Sequence, residues 1–202
     1  MGTDADHIIG LYDRHAGPWV AARLRQARFV EQAWLDKFCG IVGAGGAVLD
    51  LGCGAGEPMA GHLVRRGHAV TGVDSSTAMI QLFKQRLPQQ QAIVADMRAL
   101  SLKRAFQGIL AWDSFFHLSP DNQRGMFAIF RDHAAPGAAL MFTSGSAQGE
   151  AIGELEGEPL YHASLDIAEY NELLDSHGFD VASMVQQDRS CGDRTIWLAR
   201  RR

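Results

Sequence analysis

The fold of this chain is decided by one stretch, Val48-Leu49-Asp50-Leu51-Gly52-Cys53-Gly54-Ala55-Gly56-Glu57-Pro58. It begins inside a short apolar run, Ala47–Leu51, of the kind that forms a buried parallel strand. Gly52, Gly54 and Gly56 then allow the backbone to turn sharply and to bring its N–H groups close to a ligand. The stretch therefore predicts a buried strand that ends in a ligand-binding turn.

The rest of the chain alternates predicted strands with predicted helices. Further strands are predicted at 68–73, 92–95, 106–112, 138–143, 179–186 and 195–199. Helices are predicted at 8–15, 27–42, 58–66, 76–87, 121–134 and 167–176. This alternation predicts a mostly parallel sheet with helices on both faces, and the last two strands, with no helix between them, predict an antiparallel edge hairpin. An insert rich in glycine and glutamate, 144–166, is predicted to be a functional or mobile loop.

Four successive predicted strands end in polar or aromatic residues. These residues are Asp50, Asp74, Asp96 and the pair Trp112-Asp113. In an open parallel sheet, ligands bind outside the carboxyl ends of the strands. An acid that ends the second strand, about twenty residues past the glycine-rich turn, is placed to accept hydrogen bonds from two ribose hydroxyls. The sequence therefore predicts a site for a ribose-containing ligand at this rim.

Four segments carry a family resemblance: Asp50-Leu51-Gly52-Cys53-Gly54-Ala55-Gly56, Gly72-Val73-Asp74-Ser75-Ser76, Val94-Ala95-Asp96-Met97 and Ile109-Leu110-Ala111-Trp112-Asp113-Ser114. In order and spacing they resemble the glycine-rich, acidic second-strand, adenine-contacting and fourth-strand motifs of class I S-adenosylmethionine-dependent methyltransferases of small molecules. The resemblance extends across nearly the whole chain. It implies a Rossmann-like α/β fold with a seven-stranded sheet in the order 3-2-1-4-5-7-6, strand 7 antiparallel, helices on both faces and extra N-terminal helices.

The resemblance also implies a cofactor, S-adenosylmethionine, and a product, S-adenosylhomocysteine. It places Asp50, Gly52, Gly54, Gly56 and Trp112 next to the methionine part of the cofactor. It places Asp74 next to the ribose, and Asp96 and Met97 next to the adenine. Cys53 and Ser75 complete the predicted set of cofactor-binding residues. In this scheme Asp50 acts on the cofactor amine through water, and Asp74 holds the ribose.

Added N-terminal helices in this family commonly fold over the cofactor and shape the acceptor pocket. Tyr12 and Trp19 are therefore candidates to close over the cofactor, with simple packing as the equal alternative. The apolar stripe of a packed helix accounts for Trp34, Leu35, Phe38 and Ile41.

Three residues are candidates for catalysis. His117 follows the fourth-strand motif, within reach of an acceptor held at the rim, and its alternative is a histidine bonded to backbone near a helix start. Tyr161 and His162 lie in the insert, where the alternative is a surface loop with an incidental aromatic residue. A base is needed only when the acceptor must lose a proton as it attacks. No cluster of His, Cys and carboxylate residues has the spacing of a metal site.

The function that follows is transfer of a methyl group from S-adenosylmethionine to a small-molecule acceptor by in-line displacement. One alternative is a protein that binds the cofactor without catalysis, as a sensor or as the partner of a catalytic subunit. A remote alternative is an NAD(P)-dependent oxidoreductase. That class uses Gly-x-Gly-x-x-Gly before a pyrophosphate, whereas this chain has Gly-x-Gly-x-Gly followed by Glu57, whose carboxylate would repel a pyrophosphate.

Composition sets the remaining expectations. The chain has 202 residues and a net charge of −4, and this charge disfavours a nucleic-acid partner. Its three cysteines are too few for a disulfide scaffold. No signal peptide or membrane-length apolar run is evident, so we expect a cytoplasmic monomer or homodimer. We expect a single methyltransferase domain over 1–202, divided into a helical cap (1–45), a cofactor-binding core (46–145), the insert or lid (144–166) and a C-terminal helix and hairpin (167–202).

Overall fold

The computed structural model describes residues 4–25 and 28–202, without the side chains of residues 4 and 6. Its α-helices in this part of the chain are α1 (Asp4–Leu24), α2 (Gln32–Val42), α3 (Met59–Arg65), α4 (Thr77–Arg86), α5 (Pro120–His133) and α6 (Ile167–Ser176). Its strands are β1 (Ala47–Leu51), β2 (Ala69–Asp74), β3 (Gln91–Val94), β4 (Phe106–Ala111), β5 (Ala134–Ser144), β6 (Gly149–Leu155), β7 (Glu158–Ser164), β8 (Phe179–Asp188) and β9 (Arg194–Arg201).

Seven strands form one sheet in the order β3-β2-β1-β4-β5-β9-β8. The strands from β3 to β5 pair in parallel, whereas β9 runs antiparallel to both of its neighbours. Without the separate hairpin β6–β7, this is the order 3-2-1-4-5-7-6 with strand 7 antiparallel. The predicted Rossmann-like fold is therefore confirmed.

Strand β1 shows why its sequence is continuously apolar. Leu49 and Leu51 pack into one hydrophobic cluster, on the α5 and α6 side of the sheet. Val48 packs into a second cluster on the opposite side, which includes Trp34 and Phe38 of α2. Because successive side chains of a strand point to opposite faces, a strand covered on both faces needs apolar residues at consecutive positions. The packed stripe predicted for α2 is confirmed.

The insert contains regular structure that the sequence analysis did not predict. Strands β6 and β7 pair antiparallel, and Glu156 and Gly157 join them with φ angles of 51° and 82°. Two positive φ angles in a two-residue connection are typical of the hairpin turn whose twist matches that of its strands. The prediction of a loop at 144–166 is therefore wrong for most of this segment.

The N-terminal helices also differ from the prediction. Helix α1 extends well beyond 8–15, with a kink at His15 (φ −107°, ψ 16°) three residues before Pro18. Helix α2 begins at Gln32. The predicted start at Ala27 lies outside the described residues, and Arg28 and Phe29 are not helical, so that prediction is wrong for the first turn. Since proline lacks an N–H and crowds the preceding turn, the kink before Pro18 has a physical cause.

Helix α1 and the hairpin β6–β7 pack against each other and together form what we call the cap. A small hydrophobic cluster joins them, with the buried residues Ala5, Ile8, Leu11, Tyr161 and Ala163. A second small cluster joins α1 to the core through Ala16, Val20, Ala55 and Met79. The cap therefore lies over the glycine-rich turn after β1 without joining the main sheet.

Candidate active site

One cavity lies at the carboxyl ends of the parallel strands. Its walls contain all twelve residues predicted to contact the cofactor, namely Tyr12, Trp19, Asp50, Gly52, Cys53, Gly54, Gly56, Asp74, Ser75, Asp96, Met97 and Trp112. The rim predicted from the strand ends is thus present as one site, which we call the donor cavity. The cofactor contacts themselves stay predictions.

The glycine-rich turn is shaped by protein packing. Gly52 has a φ of 71°, and a β-carbon there would stand 2.3 Å from Cβ of Ser114. Gly56 has a φ of 84°, and a β-carbon there would stand 2.8 Å from the ring of Phe83. Glycine is therefore required at these two positions by the protein's own packing, whether or not a ligand is bound.

Asp74 ties the second strand to the turn. One of its carboxylate oxygens accepts a hydrogen bond from Gly54 N at 2.9 Å, and the other accepts one from Ser76 N at 2.8 Å. Burial raises the pKa of the Asp74 carboxyl, while these backbone hydrogen bonds act to lower it. Each oxygen retains a second lone pair, so the carboxylate can still accept from a diol.

Two buried polar atoms in the donor cavity have no hydrogen-bond partner among the described residues: Asp50 Oδ2 and Trp112 Nε1. Burial, and to a lesser extent the charge of Asp74, raises the pKa of Asp50 to about 7. A buried polar group without a partner is costly, and a bound ligand or water removes that cost. The Asp50 oxygen therefore fits a hydrogen-bond donor such as the amine of an amino acid, whereas the Trp112 indole N–H fits an acceptor.

Asp96 is engaged within the protein. Its carboxylate accepts hydrogen bonds from the Arg98 backbone N–H at 2.9 Å and from the Arg98 guanidinium at 2.6–3.0 Å. Met97 begins a short helical turn that Asp96 caps. The predicted contact with adenine has to share this carboxylate with Arg98.

A second cavity adjoins the first and is called the acceptor cavity below. Its walls come from the hairpin, the segment after β5, the connection from β8 to β9 and the end of β4. The residues that line both cavities are Tyr12, Trp19, Arg23, Asp113 and His117. The two cavities therefore meet beneath α1.

His117 lies at this junction and is 6% exposed. Its Nδ1 is 2.8 Å from the backbone oxygen of Tyr161, and its Nε2 is 2.9 Å from the hydroxyl of Tyr12. Burial lowers the pKa of His117 to about 4. His162 packs against it, with ring centroids 4.9 Å apart. The structure thus brings together candidates from the N-terminal helix, the end of β4 and the hairpin.

Tyr161 has a different place from the one its catalytic prediction requires. Its side chain is 5% exposed and packs in the cluster that joins the hairpin to α1. Its hydroxyl donates to Glu150 at 2.8 Å, and its backbone oxygen lies 2.8 Å from Nδ1 of His117. The alternative of a surface loop is wrong for Tyr161, because the residue is buried in a strand.

A network of charged residues beside the acceptor cavity was missed at the sequence level. Arg194 of β9 donates to both carboxylate oxygens of Asp113, at 2.7–3.0 Å. The same guanidinium lies 3.7 Å from Glu31, which is fully buried and also pairs with Arg23. These residues are far apart in the chain, so no local pattern connects them.

Two negative findings concern the described residues alone. No group of three or more His, Cys, Asp or Glu side chains is arranged to hold a metal ion in this part of the chain. Within the same residues, no helix combines the length and the apolar character that crossing a membrane requires.

A comparison of sequences relates part of the chain to a known family. Residues 48–137, less than half of the chain, match the family described as a methyltransferase domain. The resemblance noted in the motifs is therefore confirmed. An uncharacterized methyltransferase of Alkaliphilus oremlandii (strain OhILAs) is 25% identical over 143 residues, a match that covers 64% of this chain and 62% of that protein. The chain thus spans less than two thirds of this curated relative.

Solved methyltransferases share the fold. The glycopeptide N-methyltransferase MtfA, complexed with S-adenosylhomocysteine, superposes with a TM-score of 0.70 at 20% identity, over 86% of this chain and 89% of its own. The 1,6-didemethyltoxoflavin-N1-methyltransferase of Burkholderia thailandensis gives 0.73 at 17%, over 100% and 91%. The amino pentose methyltransferase CalS10 of Micromonospora echinaspora gives 0.71 at 18%, over 91% and 96%. At these identities the likeness establishes the fold of the methyltransferase domain.

Proposed function

We propose that this chain transfers a methyl group from S-adenosylmethionine to a small-molecule acceptor. The observation that carries the proposal is the meeting of two cavities at Tyr12 and His117, one of them lined by residues from all four of the family's cofactor motifs. A donor and an acceptor held on either side of such a junction are positioned for in-line displacement. Structures of similar fold support the donor, since they contain S-adenosylmethionine or S-adenosylhomocysteine.

The residues of the donor cavity fit S-adenosylmethionine in charge. When bound, this cofactor supplies an electrophilic methyl group on a cationic sulfonium. Asp74 accepts hydrogen bonds from the ribose, Asp96 and Met97 border the adenine, and Asp50 balances the amine of the methionine part. The unpaired Asp50 oxygen described above supports the last assignment.

The same charges disfavour a nicotinamide dinucleotide. Glu57 lines the donor cavity directly after the turn, and its carboxylate pairs with Arg65 at 3.0 Å. Asp50 and Asp74 add further acidic groups beside the turn. A pyrophosphate placed there would face carboxylates, whereas a sulfonium and an ammonium are attracted to them.

The lining of the acceptor cavity disfavours an anionic acceptor, because the carboxylates of Glu150 and Asp193 belong to it. Its two arginines are already paired, Arg194 with Asp113 and Arg23 with Glu31. Its aromatic residues are Tyr12, Trp19, Phe116 and the two histidines, His117 and His162. The relatives of similar fold act, by their names, on a glycopeptide, an amino pentose and a didemethyltoxoflavin, which supports a small-molecule acceptor here.

Location and organisation complete the proposal. Cys39, Cys53 and Cys191 are free thiols, which supports a reducing, cytoplasmic compartment. We further propose that residues 1–202 act as one methyltransferase domain, with the segment 144–166 able to move as a lid. The assembly as a monomer or homodimer and the lack of a nucleic-acid partner stay predictions.

Calorimetric titration of the whole chain tests the proposal. We expect binding of S-adenosylmethionine and S-adenosylhomocysteine, and none of NADH or NADPH.

Asp74→Ala should weaken binding by about 2–4 kcal/mol, because two ribose hydrogen bonds are lost. Asp74→Asn removes the charge but keeps only one of the two acceptor oxygens, because the amide NH2 cannot accept from Gly54 N or Ser76 N. Asp132→Asn, at an exposed carboxylate on α5, is the control. Binding of nicotinamide ligands alone, or of no ligand, would overturn the proposal. Cofactor binding without turnover on any acceptor would favour the non-catalytic alternative.

A further inference from the structure

The junction of the two cavities contains a chain of hydrogen bonds that spans three elements. It starts at the hydroxyl of Tyr12 on α1, passes through the ring of His117 after β4, and ends at the backbone oxygen of Tyr161 on β7. The two distances are 2.9 Å and 2.8 Å. Tyr12 and His117 each line both cavities, so the hydrogen bond between them lies at the junction of the two.

The direction of this chain follows from the donors and acceptors available. A backbone oxygen only accepts, so Nδ1 of His117 carries the hydrogen that Tyr161 receives. The ring is neutral near pH 7 because burial lowers its pKa to about 4. Its Nε2 therefore has a lone pair, and the Tyr12 hydroxyl donates to it. Burial raises the pKa of Tyr12, which keeps this hydroxyl protonated.

Other ionisable groups around the pair act in opposite directions. His162 of the hairpin lowers the pKa of His117, while Asp113 beyond β4 raises it, and burial is larger than either effect. Asp113 and Asp74 both raise the pKa of Tyr12. None of these groups reverses the direction of the hydrogen bonds.

We propose that Tyr12 and His117 act together as the proton acceptor of the methyl transfer, a role that rests on the proposed function. The attacking atom of the acceptor gives its proton to the Tyr12 oxygen as the Tyr12 proton passes to Nε2 of His117. The carbon–sulfur bond of the sulfonium breaks and a bond from that carbon to the acceptor atom forms. The positive charge thus moves from sulfur to the imidazolium, whose Nδ1–H stays bonded to Tyr161.

This pair selects a class of acceptor. A neutral hydroxyl or ring N–H must lose its proton during methylation, whereas a thiolate or a tertiary amine has none to lose. A weak base is sufficient for such a group, because the acidity of the attacking O–H or N–H rises steeply as the methyl group attaches. The structure therefore points to a small molecule with a neutral hydroxyl or ring N–H as the acceptor.

Histidine NMR tests the arrangement without an acceptor. In the full chain labelled with ¹⁵N-histidine and saturated with S-adenosylhomocysteine, we expect His117 to carry hydrogen on Nδ1 alone at pH 7 and to titrate below pH 5. His133 is an internal reference, since its Nδ1 lies 2.8 Å from Ile129 O and its Nε2 accepts from Leu102 N at 3.0 Å. A hydrogen on Nε2 of His117, or an imidazolium at pH 7, would overturn the relay.

Kinetics test the role. S-adenosylmethionine is offered with substituted phenols, including 4-nitrophenol, and with thiols and tertiary amines of similar size. With phenol, Tyr12→Phe and His117→Asn should each lower kcat by about 100-fold with KM little changed. The loss should shrink with 4-nitrophenol, which is largely ionised near neutral pH. His133→Asn, remote from both cavities, controls for the loss of a buried histidine.

The outcomes separate the two proposals. A loss that is the same for every phenol, or turnover of thiols and tertiary amines alone, contradicts the relay and leaves methyl transfer intact. Failure to bind S-adenosylmethionine, or binding without methylation of any compound, contradicts the proposed function and with it the proton-acceptor role, whatever hydrogen positions the NMR experiment finds.

Discussion

The core and the cap of this molecule are stabilised in different ways. In the core, the seven-stranded sheet is covered on both faces by large clusters of fully buried side chains such as Leu49 and Phe142. In the cap, a cluster of five buried residues and a few polar contacts hold α1 and the hairpin together. One of these contacts joins Glu158 to Arg14 and His15, at 2.5–2.6 Å.

The two regions meet in the candidate site. The donor cavity is built mainly from strand ends and the turn at Gly52, which the core fixes. The acceptor cavity is built mainly from the hairpin and the connections after β5 and β8. Burial of apolar surface is the dominant source of stability, so the donor side should be rigid and the acceptor side should open at lower free energy.

The largest effect is expected in the core. Gly52→Ala places a β-carbon 2.3 Å from Ser114 Cβ at a φ of 71°. We expect a loss of about 3–5 kcal/mol in the free energy of unfolding, from overpacking and from left-handed strain. Gly54→Ala is the matched variant, because its β-carbon would meet nothing closer than Trp19 at 3.7 Å, and its loss should be about 1–2 kcal/mol. Equal losses in urea denaturation would contradict this account of the turn.

We expect the cap to unfold separately from the core. Leu11→Ala, at a side chain 2% exposed in the cap cluster, should cost about 2 kcal/mol, and Leu140→Ala in β5 about 3 kcal/mol or more. Hydrogen exchange distinguishes the two variants. We expect Leu11→Ala to reduce amide protection in the hairpin while the sheet keeps its protection, and Leu140→Ala to reduce both. A uniform loss for Leu11→Ala would show that core and cap unfold as one unit.

Cofactor binding should depend on pH through Asp50. Its pKa, raised to about 7, means that the carboxyl is mostly protonated at pH 6 and mostly ionised at pH 8. A ligand with net positive charge binds the ionised form better, so the affinity for S-adenosylmethionine should be about tenfold lower at pH 6 than at pH 8. Asp50→Asn should remove this dependence, and a variant that retains it would assign the titration to another group.

The smallest effect is expected at the exposed contact within the cap. Glu158→Gln should raise hydrogen exchange in the hairpin slightly and leave global unfolding unchanged, because exposed ion pairs contribute little. Arg14 and His15 lower the pKa of Glu158 to about 2. The contribution is therefore present above the ordinary pKa of 4.5 and is lost as the pH falls through about 2. Glu154→Gln on β6 is the control, and an equal effect there would exclude a specific role for the contact.

The difference between the core and the cap explains how much of the structure the sequence could predict. Strand β1 and helix α6 are found at the predicted residues, and the sheet has the predicted order. In the core, burial on both faces makes apolar runs and glycine-rich turns informative over short stretches. Ten of the twelve cofactor-site candidates lie in one cavity because strand ends converge in a parallel sheet. The other two, Tyr12 and Trp19, reach it from α1.

Local sequence patterns did not predict the structure of the cap. The hairpin was not recognised because its turn begins with Glu156, where asparagine or aspartate is the stronger signal for two positive φ angles. Helix α1 continues past the kink at His15 because its faces pack on the hairpin and on α4. The pairing of Arg194 with Asp113 joins residues 81 positions apart, and only the fold brings them together.

Helix α1 also has a consequence for the timing of the reaction. It carries Tyr12 at the junction of the cavities, and its Trp19 ring lies 3.7 Å from the point where a β-carbon of Gly54 would stand. One helix is therefore a wall of both compartments. Under the proposed function, any displacement of that wall opens both, so the spent donor and the methylated product would be released through a single event, and the frequency of that event would set an upper limit on turnover.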